Sequence, residues 1–294
     1  RKEGDQPRTP ESRAPMMHRP TPIAELEAAG RIPEDALDIG ALALALAAAA
    51  NPEARREPYR RHLEKLSAEV AAYVGGHRGP VPLLLRHEAL VQVIHKRYGY
   101  VGTEDCFGDI EAANLMRVID RRGGLPVAIG ILYLHAARHM GWPAAGVDFP
   151  GRFLLRLDAD EGRLIFDAFE GGATLTAPDL RKVLKTMAGP NAELNPMHYR
   201  KASPRAVLLR LQNNIKIRQL GAQRLGAALK TLETMVALAP NDAALWREVG
   251  ALHARLDQIP AAVAALEECL RHSDTEQARY QASTLLQELR NRLH

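Results

Sequence analysis

Residues 117–157 read RVIDRRGGLPVAIGILYLHAARHMGWPAAGVDFPGRFLLRL, and the period of the pattern changes inside this stretch. AANLMRVIDRR (112–122) and VAIGILYLHAARHM (127–140) have the composition and spacing of helices, divided by Gly123, Gly124 and Pro126. Pro126 suits a first helical turn, where the donor it lacks would have no intrahelical partner, and Gly141 is a helix terminator. Beyond it the period falls to two. RFLLRL (152–157) and RLIFDAF (163–169) flank the turn-forming DADEG (158–162), which predicts an antiparallel hairpin. Helices feeding a small antiparallel sheet give an α+β class.

Towards the N-terminus the pattern stays helical from 21 to about 100. Thr21 precedes an acidic turn, GALALALAAAA (40–50) reads as a buried helix, and EARREPYRRHLEKLSAEVAAYV (53–74) is charged and amphipathic. Leu83, Leu84, Leu90, Val91 and Ile94 recur at three- and four-residue steps, predicting a helix from Pro82 to His95. The first 20 residues, rich in Pro and charge without apolar periodicity, are expected to form a disordered tail.

From about 205 onward the chain reads as helix and repeats itself. ALKTLETMVALAPND (228–242) and AVAALEECLRHSDTE (262–276) lie 34 residues apart, with Ala228, Leu232, Met235 and Pro240 matching Ala262, Leu266, Cys269 and Asp274. That spacing is the tetratricopeptide period. Trp246, Val249, Gly250, His253, Ala262, Leu266 and Cys269 follow the order in which small residues let two helices approach and large ones fill the gaps. Asp274 departs from the usual proline and His253 from the usual aromatic. So short an array is expected to bury its open end on the preceding domain, and Trp246 and His253 are the candidate residues of a partner-binding groove. The expected organisation is a tail over 1–20, a core domain over 21–200 and a repeat domain over 205–294.

Composition narrows the function classes. The 39 basic residues nearly balance 35 acidic ones along the whole chain, and RREPYRRH (55–62) reads as a solvated helix face, so no nucleic-acid partner is expected. The apolar run at 40–50 is about half the ~20 residues a bilayer requires, so no membrane partner is expected. Cys106 and Cys269 are too few for a disulfide framework, which suits a reducing cytoplasm.

Residues 117–157, followed by FDAFEGG (166–172) and the repeat tail, resemble the SirB family of transglutaminase-like proteins through GLP before a helix, PG-x-FL-x-R and FDxFxGG. The resemblance implies a helix-rich, papain-like core with a small antiparallel sheet. Catalytic relatives use a Cys at a helix start, a His on a neighbouring strand and an Asp that orients it. Carried over, these positions are Pro126, Arg152 and Asp167. GLPVAIG (124–130) contains no Cys, Ser or Thr, and a guanidinium stays protonated and cannot act as a base. Only Asp167 retains its family identity. With a pairing sum of about 320 across the hairpin, Arg152 falls within one residue of the position opposite Asp167, and an ion pair there would replace the His–Asp couple.

Other residue groups have plainer readings. His135 and His139 sit at a helical i, i+4 spacing that can hold a metal, without an evident third ligand, and read as ordinary helix histidines. Cys106 lies beside acidic residues that disfavour a thiolate. The pairs Gly123–Gly124 and Gly171–Gly172 fall outside any phosphate-loop pattern. The leading expectation is a non-catalytic adaptor that needs no cofactor or metal and binds a protein or peptide through its repeat. The alternative is a hydrolase or transferase acting on amides through Cys106 or a metal at His135 and His139.

Overall fold

The computed structural model describes residues 20–291; the tail expected over 1–20 lies, but for Pro20, outside the described residues. The helices of the first part are α1 (Pro22–Ala29), α2 (Ile39–Ala50), α3 (Glu57–Val74), α4 (Leu83–Leu90), α5 (Leu115–Arg121) and α6 (Pro126–His139). Strands β1 (Ala144–Phe149), β2 (Arg152–Ala159), β3 (Gly162–Asp167) and β4 (Ala173–Thr174) follow, then α7 (Ala177–Ala188) and β5 (Lys201–Ala202). Helices α8 (Pro204–Gly221), α9 (Leu225–Leu238), α10 (Ala243–Arg255), α11 (Ile259–His272) and α12 (Glu276–Asn291) complete the chain.

Two helices apolar on nearly every face form the centre. The Ala/Leu run becomes α2, capped by Asp38, whose carboxylate accepts from the Ala41 amide at 3.0 Å, with Ile39 through Ala48 buried except Ala41. α6 begins at Pro126 as its sequence requires and buries ten residues from Val127 to Ala137. Such all-round burial suits core helices rather than amphipathic surface ones. The helix expected over Pro82–His95 exists, but its second half, Val91–Arg97, winds as a π-helix.

The sheet runs β4-β3-β2-β1-β5, all pairs antiparallel. Phe153, Leu155, Leu157 and Phe166 join the main core against α6, whereas Val147, Phe149, Leu154 and Ile165 pack with Leu180 and Leu184 of α7. The sheet is thus sandwiched between helices. β1, β4 and β5 had no strand signal: AAGVDF lacks a run of branched residues, and two-residue edges carry no period.

The hairpin turn is shorter than DADEG. Ala159 pairs with Gly162, so Asp160 and Glu161 alone make the loop, and the pairing runs one residue beyond the expected sum. Continued one step past Leu155–Phe166, the register sets Leu154 opposite Asp167. Arg152 is therefore two positions from opposite, which restores it to the same sheet face as a diagonal neighbour.

In the repeat, Ala228 and Ala262 are fully buried where α9 and α11 meet their neighbours, and a methyl on Gly250 would lie 2.8 Å from Leu266 Cγ. The repeat is anchored to the core by apolar and polar contacts alike. Val207, Leu208 and Leu211 of α8 enter the main core. The Arg205 guanidinium donates to the last carbonyls of α1 (Ala29, 3.1 Å) and α9 (Leu238), and to Ile32 at 2.9 Å, while pairing with Glu34 at 3.0 Å. One side chain thereby bonds the last carbonyls of two helices, which lie beyond their intrahelical ladders.

Candidate functional site

Pro126, Arg152 and Asp167 converge on one cavity of about 410 Å³. Pro126 and Val127 open α6 on one side, and Arg152 and Phe153 begin β2 on another. Asp167 ends β3, followed by Phe169 and Glu170. Met187 of α7, Arg210 and Asn214 of α8, and Glu104 and Phe107 of a short 3-10 turn complete the walls.

Asp167 is the fixed point of the site. It is 3% exposed, and its Oδ2 accepts from Arg152 Nη1 at 2.9 Å while Oδ1 accepts from the Phe169 amide at 2.9 Å. The expected ion pair forms. Its carbonyl accepts from the Gly172 amide at 2.8 Å, closing the FEGG turn, which His87 braces by bonding the Gly172 carbonyl at 2.8 Å. Burial holds the His87 imidazole below its ordinary range, so it stays neutral there.

The neighbouring turn is equally constrained. Gly151, at φ +73°, turns β1 into β2, and a methyl on it would meet the Met187 side chain at 2.3 Å. Phe169 lies directly over Gly102, whose amide bonds the Phe169 carbonyl at 2.8 Å. Phe107 is held by its carbonyl, which accepts two bonds from the Arg218 guanidinium at 2.9 and 3.2 Å.

Chemically, the lining contains Glu104, Asp167, Glu170, Arg152, Arg210 and Asn214 as its polar side chains, and no thiol, hydroxyl or imidazole among the described residues. Arg210 is stacked at 5.5 Å over Phe153 and paired with Asp148; burial lowers its pKa. The contributions of α8 and the 3-10 turn were missed from sequence. Arg210 and Asn214 stand at an i, i+4 spacing on one face, but nothing local ties that face to residue 126.

The remaining candidates sit elsewhere. Cys106 is buried at 6% exposure and its thiol is pushed up, chiefly by burial, with Asp109 and Asp105 adding to the effect. His135 and His139 rings stand 6.0 Å apart, and His135 Nδ1 lies 3.5 Å from Asp38 Oδ1. That contact, the largest of its causes, holds Asp38 down at about 2. Among the described residues no group of three or more His, Cys, Asp or Glu side chains is placed to hold a metal ion. Trp246 packs against the α9–α10 core and donates its indole N–H to the Pro240 carbonyl at 2.7 Å. His253, about two turns further along the same face of α10, contacts Gln258 Oε1 at 2.6 Å.

A sequence model of the transglutaminase-like superfamily matches residues 57–213, which carry the whole sheet, α6 and all three cleft positions. The chain belongs to that superfamily. A tetratricopeptide-repeat model matches residues 215–287, so the boundary between the two matches falls inside α8. The relatives of this transglutaminase-like chain include a UPF0162 protein of Xylella fastidiosa, 30% identical over 64% of this chain and 68% of its own length. A Vibrio cholerae UPF0162 protein is 27% identical over 83% of this chain and 89% of its own length. Protein SirB1 of Salmonella typhimurium is 25% identical over 67% of this chain and 75% of its own length. No described helix is long and apolar enough to cross a membrane.

Proposed function

We propose that this transglutaminase-like protein is a non-catalytic adaptor, with a core domain over 21–200 acting as scaffold and a repeat domain over 205–294 holding a protein or peptide partner. One observation carries the reading. The positions where the resemblance puts a nucleophile and its base, Pro126 and Arg152, share one cavity, and no other lining side chain supplies a thiol, hydroxyl or imidazole. An acyl transfer needs an electron-rich atom and a group that removes its proton. A proline has no such atom, and a guanidinium keeps its protons at any relevant pH.

Asp167, which orients a base in catalytic relatives, here anchors Arg152 and the FEGG turn, a structural use of the same carboxylate. Tetratricopeptide repeats generally mediate protein–protein contacts, and the groove side of α10, with Trp246 and His253, is the surface assigned to the partner. A reducing compartment such as the cytoplasm suits a chain whose two cysteines are free and buried.

The test is turnover. A panel of peptide amides, glutamine peptides with an added amine, and activated esters is incubated with the full chain and with its Asp167→Ala variant. The expected result is the same background rate for both. Turnover by the native chain that disappears in the variant refutes the adaptor reading.

A further inference from the structure

The cavity between α6, α8 and the FEGG turn has walls and charges that belong together. Phe107 and Met187, at 52% and 56% exposure, are large apolar side chains left open to solvent at its mouth. Phe107 and Phe169 face each other with ring centroids 5.4 Å apart. This aromatic pair is held in place: Phe169 sits over Gly102, and the Phe107 carbonyl is tied to Arg218 of α8. An exposed aromatic on a pinned backbone loses little freedom when something covers it.

The charges decide what covers it. Arg152 is neutralised by Asp167, and Arg210 by Asp148. Glu104 and Glu170 also line the cavity, and neither side chain has a hydrogen bond or ion pair among the described residues. Among its lining side chains this cleft therefore carries uncompensated negative charge beside two aromatic faces, with Arg218, bonded to the Phe107 carbonyl, as the nearby cation outside the lining. Carboxylates together with the faces of aromatic rings attract a cationic side chain and repel an anionic one.

We propose that the cleft is a docking site for a basic peptide segment of a partner protein, with a Lys or Arg side chain over the Phe107 and Phe169 rings and its charge against Glu104 and Glu170. The proposal rests on the non-catalytic reading, since it treats the cavity as a seat and not as a reaction centre. It adds to the repeat groove a second contact surface on the core, joined to it through α8.

The experiment uses the labelled full chain on an array of degenerate nonapeptides whose central residue is fixed as Arg, Lys, Ala or Glu. Arg and Lys spots should retain at least about tenfold more protein than Glu spots, and the difference should shrink with added salt. Glu104→Gln combined with Glu170→Gln should remove most of that preference, and Phe107→Ala should lower it about threefold. These three side chains are exposed, so thermal melts of the variants should overlay that of the native chain. No signal, equal signal at Glu and Arg spots, or an unchanged preference in the double variant overturns the docking site. Mass spectrometry of the spotted peptides separates the two readings: cleaved, deamidated or cross-linked peptide refutes the adaptor reading, whereas unmodified peptide without basic preference refutes the docking site alone.

Discussion

The cleft and the repeat have both departed from their family patterns, and they have done so in different ways. In the repeat, Asp274 and His253 stand where a proline and an aromatic are usual, while the packing positions Met235 and Cys269 are both buried at 3% or less. The packing role survives the change of side chain. In the cleft, Pro126 starts a helix and Arg152 pairs with Asp167, so the local geometry is held without a Cys or a His at those two positions. Backbone and packing constraints are thus separable from the identity of the side chains they position.

If the cleft turn is as tightly specified as its contacts imply, crowding it should cost more than crowding the repeat. A methyl at Gly102 would stand 2.0 Å from the Phe169 ring, against 2.8 Å from Leu266 at Gly250. Gly102→Ala should therefore destabilise by on the order of 3 kcal/mol and Gly250→Ala by about half that, read from denaturant midpoints. Equal losses would break the comparison.

The ion pair offers the next largest effect. Arg152→Ala leaves Asp167 almost buried with one amide donor and should cost about 2 kcal/mol, allowing for the solvent exposure of the arginine. Adding Asp167→Ala should recover part of that loss, which a double-mutant cycle measures. Additive losses would mean that the two side chains act independently.

A third test concerns acid. His62 Nε2 lies 2.8 Å from Tyr100 Oη and 2.9 Å from Arg122 Nη1, and a guanidinium only donates, so the imidazole accepts and is neutral. Burial, then the charges of Arg122 and Lys65, hold its pKa at about 4, with Glu69 opposing. The unfolded chain binds a proton near pH 6.5 while the folded chain does not. Stability should thus fall as pH drops from about 6.5 to about 4, with about 1–2 kcal/mol of the fall due to His62 after solvent screening, and the slope should shrink in His62→Gln, leaving the part that buried His87 supplies. The smallest effect belongs to the repeat: His253→Phe, on the partly exposed face of α10, should shift stability by less than about 0.5 kcal/mol.

Much of the fold was legible. The proline-started α6, the buried Ala/Leu helix and the 34-residue repeat are local signals of period and terminators, which a sequence displays directly. The hairpin was legible too, but its register was displaced by one because the turn uses only Asp160 and Glu161. At the site, the nearness of Pro126, Arg152 and Asp167 and the Arg152–Asp167 contact could be read from motifs. Glu104, Phe107, Arg210 and Asn214 could not, since their meeting depends on how α8 crosses the sheet, where Gly146 lets Val207 approach. The burial of Cys106 was likewise a tertiary outcome, and it outweighs the acidic neighbours that the sequence pointed to.

Labelling tests the account most directly. The native chain is treated at neutral pH with an electrophilic amide mimic, and every adduct is located by peptide mass spectrometry against a denatured control. The account predicts no adduct on any residue lining the cleft, and reaction of Cys106 and Cys269 only at the slow rate of buried thiols. Rapid, stoichiometric modification of a cleft residue, or of Cys106 alone, in the folded protein would contradict it.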